Sequence, residues 1–252
     1  MKRLGFFILL FAAALTASAQ IRIATPNTEM VLSAEQGKTL KIQYFGARLS
    51  DADLANLQAA GVPDHNAYQP YGFNCASEPA FAATHCDGNM STVLTVESIS
   101  KAEEPTAEVT RIRLKDTVYP FYVTVCYRAY KDVDMIETWT EIENLEKKPV
   151  TLTRFDSGYL PVRVGDVWLS HLHGTWAAEG RLVQEPLDRG MRVIKNKDGS
   201  RNSHTDHAEV MFSLDGKPQE NAGRVIGAAL CYSGNYELRI DTKDTDYHEF
   251  FA

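Results

Sequence analysis

Residues 120–144 read PFYVTVCYRAYKDVDMIETWTEIEN. Two runs rich in Val, Ile, Thr and Tyr flank a polar break at Lys131-Asp132, and within each run apolar and polar residues alternate. Side chains on a strand point to opposite faces with a period of two, so this pattern specifies two half-buried strands joined by a tight turn. β-branched and aromatic residues suit such a pleated surface. Trp139 falls on the alternation of the second run and is expected in the core, as is Trp168 further on.

The same grammar extends both ways. Upstream lie IRIATP, TEMVLSAE, TLKIQYFGARL, STVLTVESIS and EVTRIRLKD, with turns at Pro26-Asn27 and Gln36-Gly37. Downstream lie VTLTRFDSGYLPV, DVWLSHLHG, RGMRVIKNKDG, AEVMFSLDG, GRVIGAALCYSGN and YELRIDTKD, with turn signals at 144–149 and Val164-Gly165-Asp166. Only DADLANLQAAG has helical spacing, with Leu54 and Leu57 on one face and Gly61 placed to stop it. Many antiparallel-type strands with short connections predict an all-β chain, one large antiparallel β-sandwich over residues 20–252, rather than a doubly wound α/β sheet. No repeat, linker or low-complexity tract interrupts it.

The first nineteen residues have another use. Lys2 and Arg3 precede an apolar run from Leu4 to Leu15 and the small residues Ala17-Ser18-Ala19, the pattern of a signal peptide cleaved after Ala19. A secreted or periplasmic protein is expected, with no membrane partner. A net charge of −7 without a basic cluster excludes nucleic acid as a partner. Export permits disulfides. Cys75 and Cys86 bound CASEPAFAATHC and can close a short loop, while Cys126 and Cys231 sit in strand-like runs as buried thiols. The chain stops at DYHEFFA, two aromatics beyond a strand, which reads as a fragment cut before its last strands and leaves Tyr236–Asp241 as an open edge.

Three chemistries compete on residue grounds. His171, His173, His204 and His207 are the metal-site candidates, but SHTDH is a polar loop in which histidines are solvated, and no paired Cys pattern supports zinc. Carboxylate-pair hydrolysis needs two acids held about 5–10 Å apart. Most acids here lie in turns, and Glu179 beside Trp176 has no evident partner. Sugar binding fits better, since aromatic rings stack on apolar sugar faces; Tyr68 and Tyr71 in NAYQPYGFN are the candidates, with Trp176.

Several stretches taken in order resemble the N-terminal domain of glycoside hydrolase family 36, the bacterial α-galactosidases: YFGARL, YQPYG, the 120–144 strand pair, LHGTWAAEG, SRNSHTDH and VIGAALCYSGNYELRI. The resemblance spans nearly all of residues 20–252. It implies a galactose-mutarotase-like β-supersandwich that precedes a (β/α)₈ barrel, with both catalytic aspartates on the absent barrel and none here. Barrel active sites lie at the C-terminal ends of the strands. It further implies retaining cleavage of terminal α-linked galactose by the parent enzyme, no cofactor, no metal, α-galactoside oligosaccharide as its ligand and a homo-oligomeric parent. The segment 50–74, which departs from the family pattern in its alanine- and leucine-rich helix, is the one that would reach substrate, through Asp53, Asp64 and Tyr68. Trp176, Glu179, His204 and Asn235 are expected in structural or domain-interface roles. The alternative is a free-standing carbohydrate-binding sandwich.

Overall fold

The computed structural model describes residues 20–59, 65–72, 78–200, 205–244 and 246–252. The first nineteen residues, expected to be a signal peptide, and Asp64, Cys75 and His204 lie outside them. In chain order the first sheet holds β1 (Gln20–Ala24), β2 (Thr28–Ser33) and β3 (Lys41–Ala47), then, after helix α1 (Asp51–Ala59), the short β4 (His65–Asn66). β5 (Phe81–Thr84) pairs with β10 (Thr151–Phe155), and between them β6 (Leu94–Glu103), β7 (Ala107–Asp116), β8 (Phe121–Tyr130) and β9 (Ile136–Asn144) form a continuous antiparallel meander.

The second half folds into two further sheets. β12 (Trp168–His173) pairs with β13 (Arg181–Pro186) and β15 (Asp206–Ser213), and β15 pairs with β16 (Val225–Ala229). The other sheet has the order β11-β18-β17-β14, built from β11 (Tyr159–Arg163), β14 (Gly190–Asn196), β17 (Tyr236–Asp244) and β18 (Tyr247–Phe251). Every strand pair between named elements is antiparallel, as the alternation requires.

Burial divides into two cores. The first gathers Ile23, Leu32 and Leu40 against Ile112, Leu114, Phe121, Val123 and Val125. The second gathers Leu169, Val210 and Phe212 against Ile194, Leu238, Ile240 and Phe250. Phe251, on β18 in the second half, packs into the first core. This is the expected large antiparallel β-supersandwich, built as two sandwich cores bridged by β18 and by Leu160 of β11, which packs against both.

Three expectations are corrected here. The terminal YHEFF is a strand, so β17 has β14 on one side and β18 on the other and presents no open edge. His248 and Glu249 hid it, because both are polar yet buried. Trp139 and Trp168 are half-buried on outer sheet faces and belong to neither core. Trp139 lies between the Arg111 and Arg128 guanidiniums, 5.7 and 5.1 Å from its ring centre, and the Lys217 ammonium stands 5.8 Å from the Trp168 ring. Alternation separates two faces without saying which is buried, and long cationic side chains let an indole stay on the wetter one. Cys126 is a buried thiol as expected, but Cys231 is exposed.

Candidate functional site

Two places carry the residues singled out by sequence. The first is the start of α1. Glu29 on β2 is fully buried, and its carboxylate accepts Arg22 Nε at 2.8 Å, Arg22 Nη2 at 3.2 Å and the Leu49 N–H at 2.6 Å. The same guanidinium donates to Leu49 O at 2.8 Å and Asp51 Oδ1 at 3.0 Å. One buried ion pair thus fixes where the chain leaves β3 and enters the helix. Ser50 caps it: the Asp53 N–H donates to Ser50 Oγ at 3.2 Å, which satisfies an otherwise unpaired helix donor, and the Ser50 hydroxyl donates to Asp53 Oδ2 at 2.6 Å. Asp51 and Asp53 also suit the positive end of the helix dipole. No residue of α1 is buried, so the helix is anchored at its N-terminus and offers its acidic turn to solvent.

Tyr68 does not join that exposed turn. It is only 2% exposed, its hydroxyl donates to Asp156 O at 2.9 Å, and its ring packs among first-core residues beside Phe81. Burial pushes its phenol well above the usual range. Tyr68 therefore supplies packing, and the exposed aromatic of the YQPYG stretch is Tyr71. Asp64 lies outside the described residues.

The second place is one end of the second sandwich, where three of the quoted motifs meet. LHGTWAAEG is the β12–β13 hairpin: His173 pairs with Arg181 across it, and Trp176 sits at its tip, 78% exposed. Glu179 Oε1 accepts the Ala177 N–H at 3.0 Å and holds Ala177 at φ 60°, so this carboxylate braces the turn. Gly174 is required by crowding, since a Cβ there would stand 2.6 Å from Glu179 Cα and 2.7 Å from Ala178 O.

Thr205 and Asp206 meet this hairpin, and residues 196–199 in turn meet the segment before β17. Gly174 N–H donates to Thr205 O at 2.7 Å, and His173 Nδ1 lies 2.7 Å from Asp206 Oδ1. The Asn196 amide makes the second contact, donating to Gly199 O at 2.7 Å and Gly234 O at 2.6 Å, while Asn235 Oδ1 accepts the Gly199 N–H at 2.9 Å. SGN lies between β16 and β17. It is a crossover between sheets, since β16 pairs with β15 whereas β17 pairs with β14 and β18. A Cβ at Gly234 would stand 2.5 Å from the exposed Tyr232 ring, which would have to swing aside. Asn235 is a loop brace, and His204 lies outside the described residues.

The histidines do not assemble. His171 is half-buried with Nδ1 unpaired, burial lowers its pKa, and His207 Nδ1 stands 3.7 Å from Glu209. Among the described residues no three His, Cys, Asp or Glu side chains stand where they could hold one ion. Among the same residues Cys86, Cys126 and Cys231 are free thiols; Cys75, the expected partner of Cys86, lies outside them. Sequence reasoning missed two buried pairs. His85 and Glu146 meet at 2.7 Å with both side chains enclosed, and Asp156 meets Arg239 beneath the junction of the two sandwiches. Both link residues more than sixty positions apart, and no local pattern reports such a contact.

The sequence profile of the glycosyl hydrolase family 36 N-terminal domain matches residues 38–251, most of the chain. The chain belongs to that family. Among curated relatives of this family 36 domain, α-galactosidase Mel36A of Lactobacillus acidophilus is 26% identical over 139 residues, 55% of this chain and 19% of that protein. Among solved structures, the α-galactosidase of Lactobacillus brevis superposes with a TM-score of 0.80 at 20% identity, covering 93% of this chain and 36% of that one. A variant of AgaA from Geobacillus stearothermophilus, in complex with raffinose, superposes with a TM-score of 0.81 at 21% identity, covering 92% and 37%. At these identities the superpositions establish the shared fold. The family 36 domain described here thus spans little over a third of each of those chains.

Proposed function

We propose that this chain is the non-catalytic N-terminal domain of an exported α-galactosidase that removes terminal α-linked galactose from oligosaccharides, and that the domain positions a catalytic barrel without performing the chemistry. The observation that carries this reading is the convergence of LHGTWAAEG, the 197–205 loop and SGN at one end of the second sandwich, braced by Asn196, Asn235 and Glu179. Such bracing commits Glu179 to the Ala177 N–H and His173 to Asp206, so these groups hold the turn that carries the exposed tryptophan. The outer face of the neighbouring sheet supports the same reading: Trp168, Ser213 and Val225 stand in one row, Ser170 and Met211 in the next and Leu172 and Leu182 in a third. Leu182, Met211 and Val225 are exposed there. Exposed apolar surface of this kind marks an interaction site.

Substrate contact, in this reading, comes from the acidic start of α1. Asp53 keeps an exposed carboxylate beside its bond to Ser50, and the exposed Tyr71 supplies the aromatic partner. Raffinose, bound by the AgaA variant, is the class of ligand expected for the whole enzyme. The test is hydrolysis of an aryl α-galactoside by the isolated 20–252 chain and by the longer enzyme that would contain it. The isolated chain is expected to be inactive and the longer one active. Turnover by the purified isolated chain would falsify the reading. Tight galactoside binding by that chain, with no barrel encoded beyond it, would favour a free-standing sugar-binding module instead.

A further inference from the structure

Residues 156–158 join the two sandwiches, and both halves hold them. From the first half, Asp156 N–H donates to Ala80 O at 2.8 Å, and Tyr68 and Thr140 hydroxyls donate to Asp156 O at 2.9 and 3.4 Å. From the second half, Ala252 O accepts the Ser157 and Gly158 N–H groups at 2.6 and 3.1 Å. The Asp156 side chain points the same way, onto Arg239 of β17, which is 4% exposed and whose guanidinium lies 4.8 Å from the centre of the Phe251 ring.

The charges around this contact do not balance. Arg154 on β10 donates to Glu78 at 2.5 Å, Arg239 Nη1 stands 3.7 Å from the same Glu78, and Arg239 Nε lies 3.6 Å from Glu237. Glu78, Asp156 and Glu237 therefore share two guanidiniums, Arg154 and Arg239. Tyr68, the other titratable group against Asp156, stays a neutral phenol. A buried charge needs a partner of its own, and a group in excess is neutralised more cheaply than it is solvated. Of the three carboxylates Asp156 is the most enclosed, with a side chain 12% exposed against 36% for Glu78 and 49% for Glu237.

We propose that folding of this domain draws one proton from solvent onto the Asp156 carboxyl, so that the junction between the two sandwiches is a proton-dependent latch that tightens in mildly acidic surroundings. The protonated carboxyl keeps an acceptor oxygen for Arg239, so the cross-link survives neutralisation while the unmatched charge disappears. Burial, opposed by the Arg239 and Arg154 charges, pushes the carboxyl up to about 7 from an ordinary 3.8. The contribution of a group raised in this way is fully present below pH 3.8 and is lost as pH rises through about 7.

This inference does not depend on the galactosidase reading, because it concerns the junction and not the chemistry of the parent. Melting temperatures of the wild-type protein, Asp156→Asn and Glu78→Gln are compared from pH 5 to 8. The wild type is expected to lose several degrees relative to Asp156→Asn as pH rises from 5, with the loss levelling off above about pH 7. Glu78→Gln restores two carboxylates to two guanidiniums, so it is expected to flatten the same slope. It also carries the test alone should Asp156→Asn not fold. A wild type that gains on either variant as pH rises, or differences that do not change with pH, would overturn the proposal and leave an ordinary ion pair. Comparing variants is necessary because His171 and His248, whose pKa values burial lowers, give the opposite slope in all three proteins.

Discussion

Glu29 and Gly174 show how much of the candidate sites rests on single residues that no functional motif would flag. Glu29 is buried with three donors on its oxygens, and Glu29→Gln leaves one amide oxygen for all three and removes the charge that pairs with Arg22. Losing one partner of a buried pair costs about 3–5 kcal/mol. Because Arg22 keeps some solvent contact, about 2–3 kcal/mol is expected for Glu29→Gln, read as a lower denaturant midpoint with faster amide exchange at 49–54. Asp53→Ala, which removes only an exposed side-chain bond to Ser50, should cost about 0.5–1 kcal/mol. A larger loss there would mean that Asp53 holds more than the helix. Gly174→Ala brings a methyl against the Glu179 backbone and should lower stability by about 1–3 kcal/mol. An unchanged melting temperature for Gly174→Ala would show that the hairpin relaxes without strain.

At the scale of elements, strands were legible wherever one face is dry. In β8, Phe121, Val123, Val125, Tyr127 and Ala129 are all buried and alternate with residues of the outer face, so period two alone locates the strand and its core side. In β9 the same period is present, but the indole of Trp139 donates to Glu141 at 3.0 Å on the charged face, and hydrophobicity pointed the wrong way. In β18 burial of Glu249 under the Tyr159 and Tyr247 hydroxyls, at 2.7 and 3.1 Å, broke the pattern and the strand was read as a tail. The hairpin carrying Trp176 was legible as a corner, whereas its contacts with Thr205 and Asp206, and those of Gly199 with Asn235, were not, because they join residues more than thirty positions apart. Trp176→Ala is expected to leave the melting temperature of this domain within about 0.5 kcal/mol of wild type, since the side chain touches little. In the longer enzyme the same substitution should lower activity or weaken barrel docking. A large stability loss in the isolated domain would instead make Trp176 a core residue of the loop cluster.

At the scale of the whole molecule the two cores are held in register by a small number of contacts across the 156–158 junction, and Phe251 is the largest apolar one. It belongs by sequence and pairing to the sheet of the second sandwich, lies with its ring centre 5.0 Å from that of Tyr159 at a tilt of 41°, and is enclosed by first-core residues. Truncating a buried phenylalanine costs about 3–5 kcal/mol. Placed here, that cost falls on the coupling between the cores as well as on either one. Phe212→Ala makes the comparison, because Phe212 meets Phe250 at 5.3 Å wholly within the second core. Phe212→Ala is expected to lower one cooperative transition. Phe251→Ala is expected to separate the unfolding of the two sandwiches, followed by amide exchange in β8 and in β15. Coincident transitions by both probes in Phe251→Ala would show that the backbone clamp at Ser157, Gly158 and Ala252 couples the cores by itself.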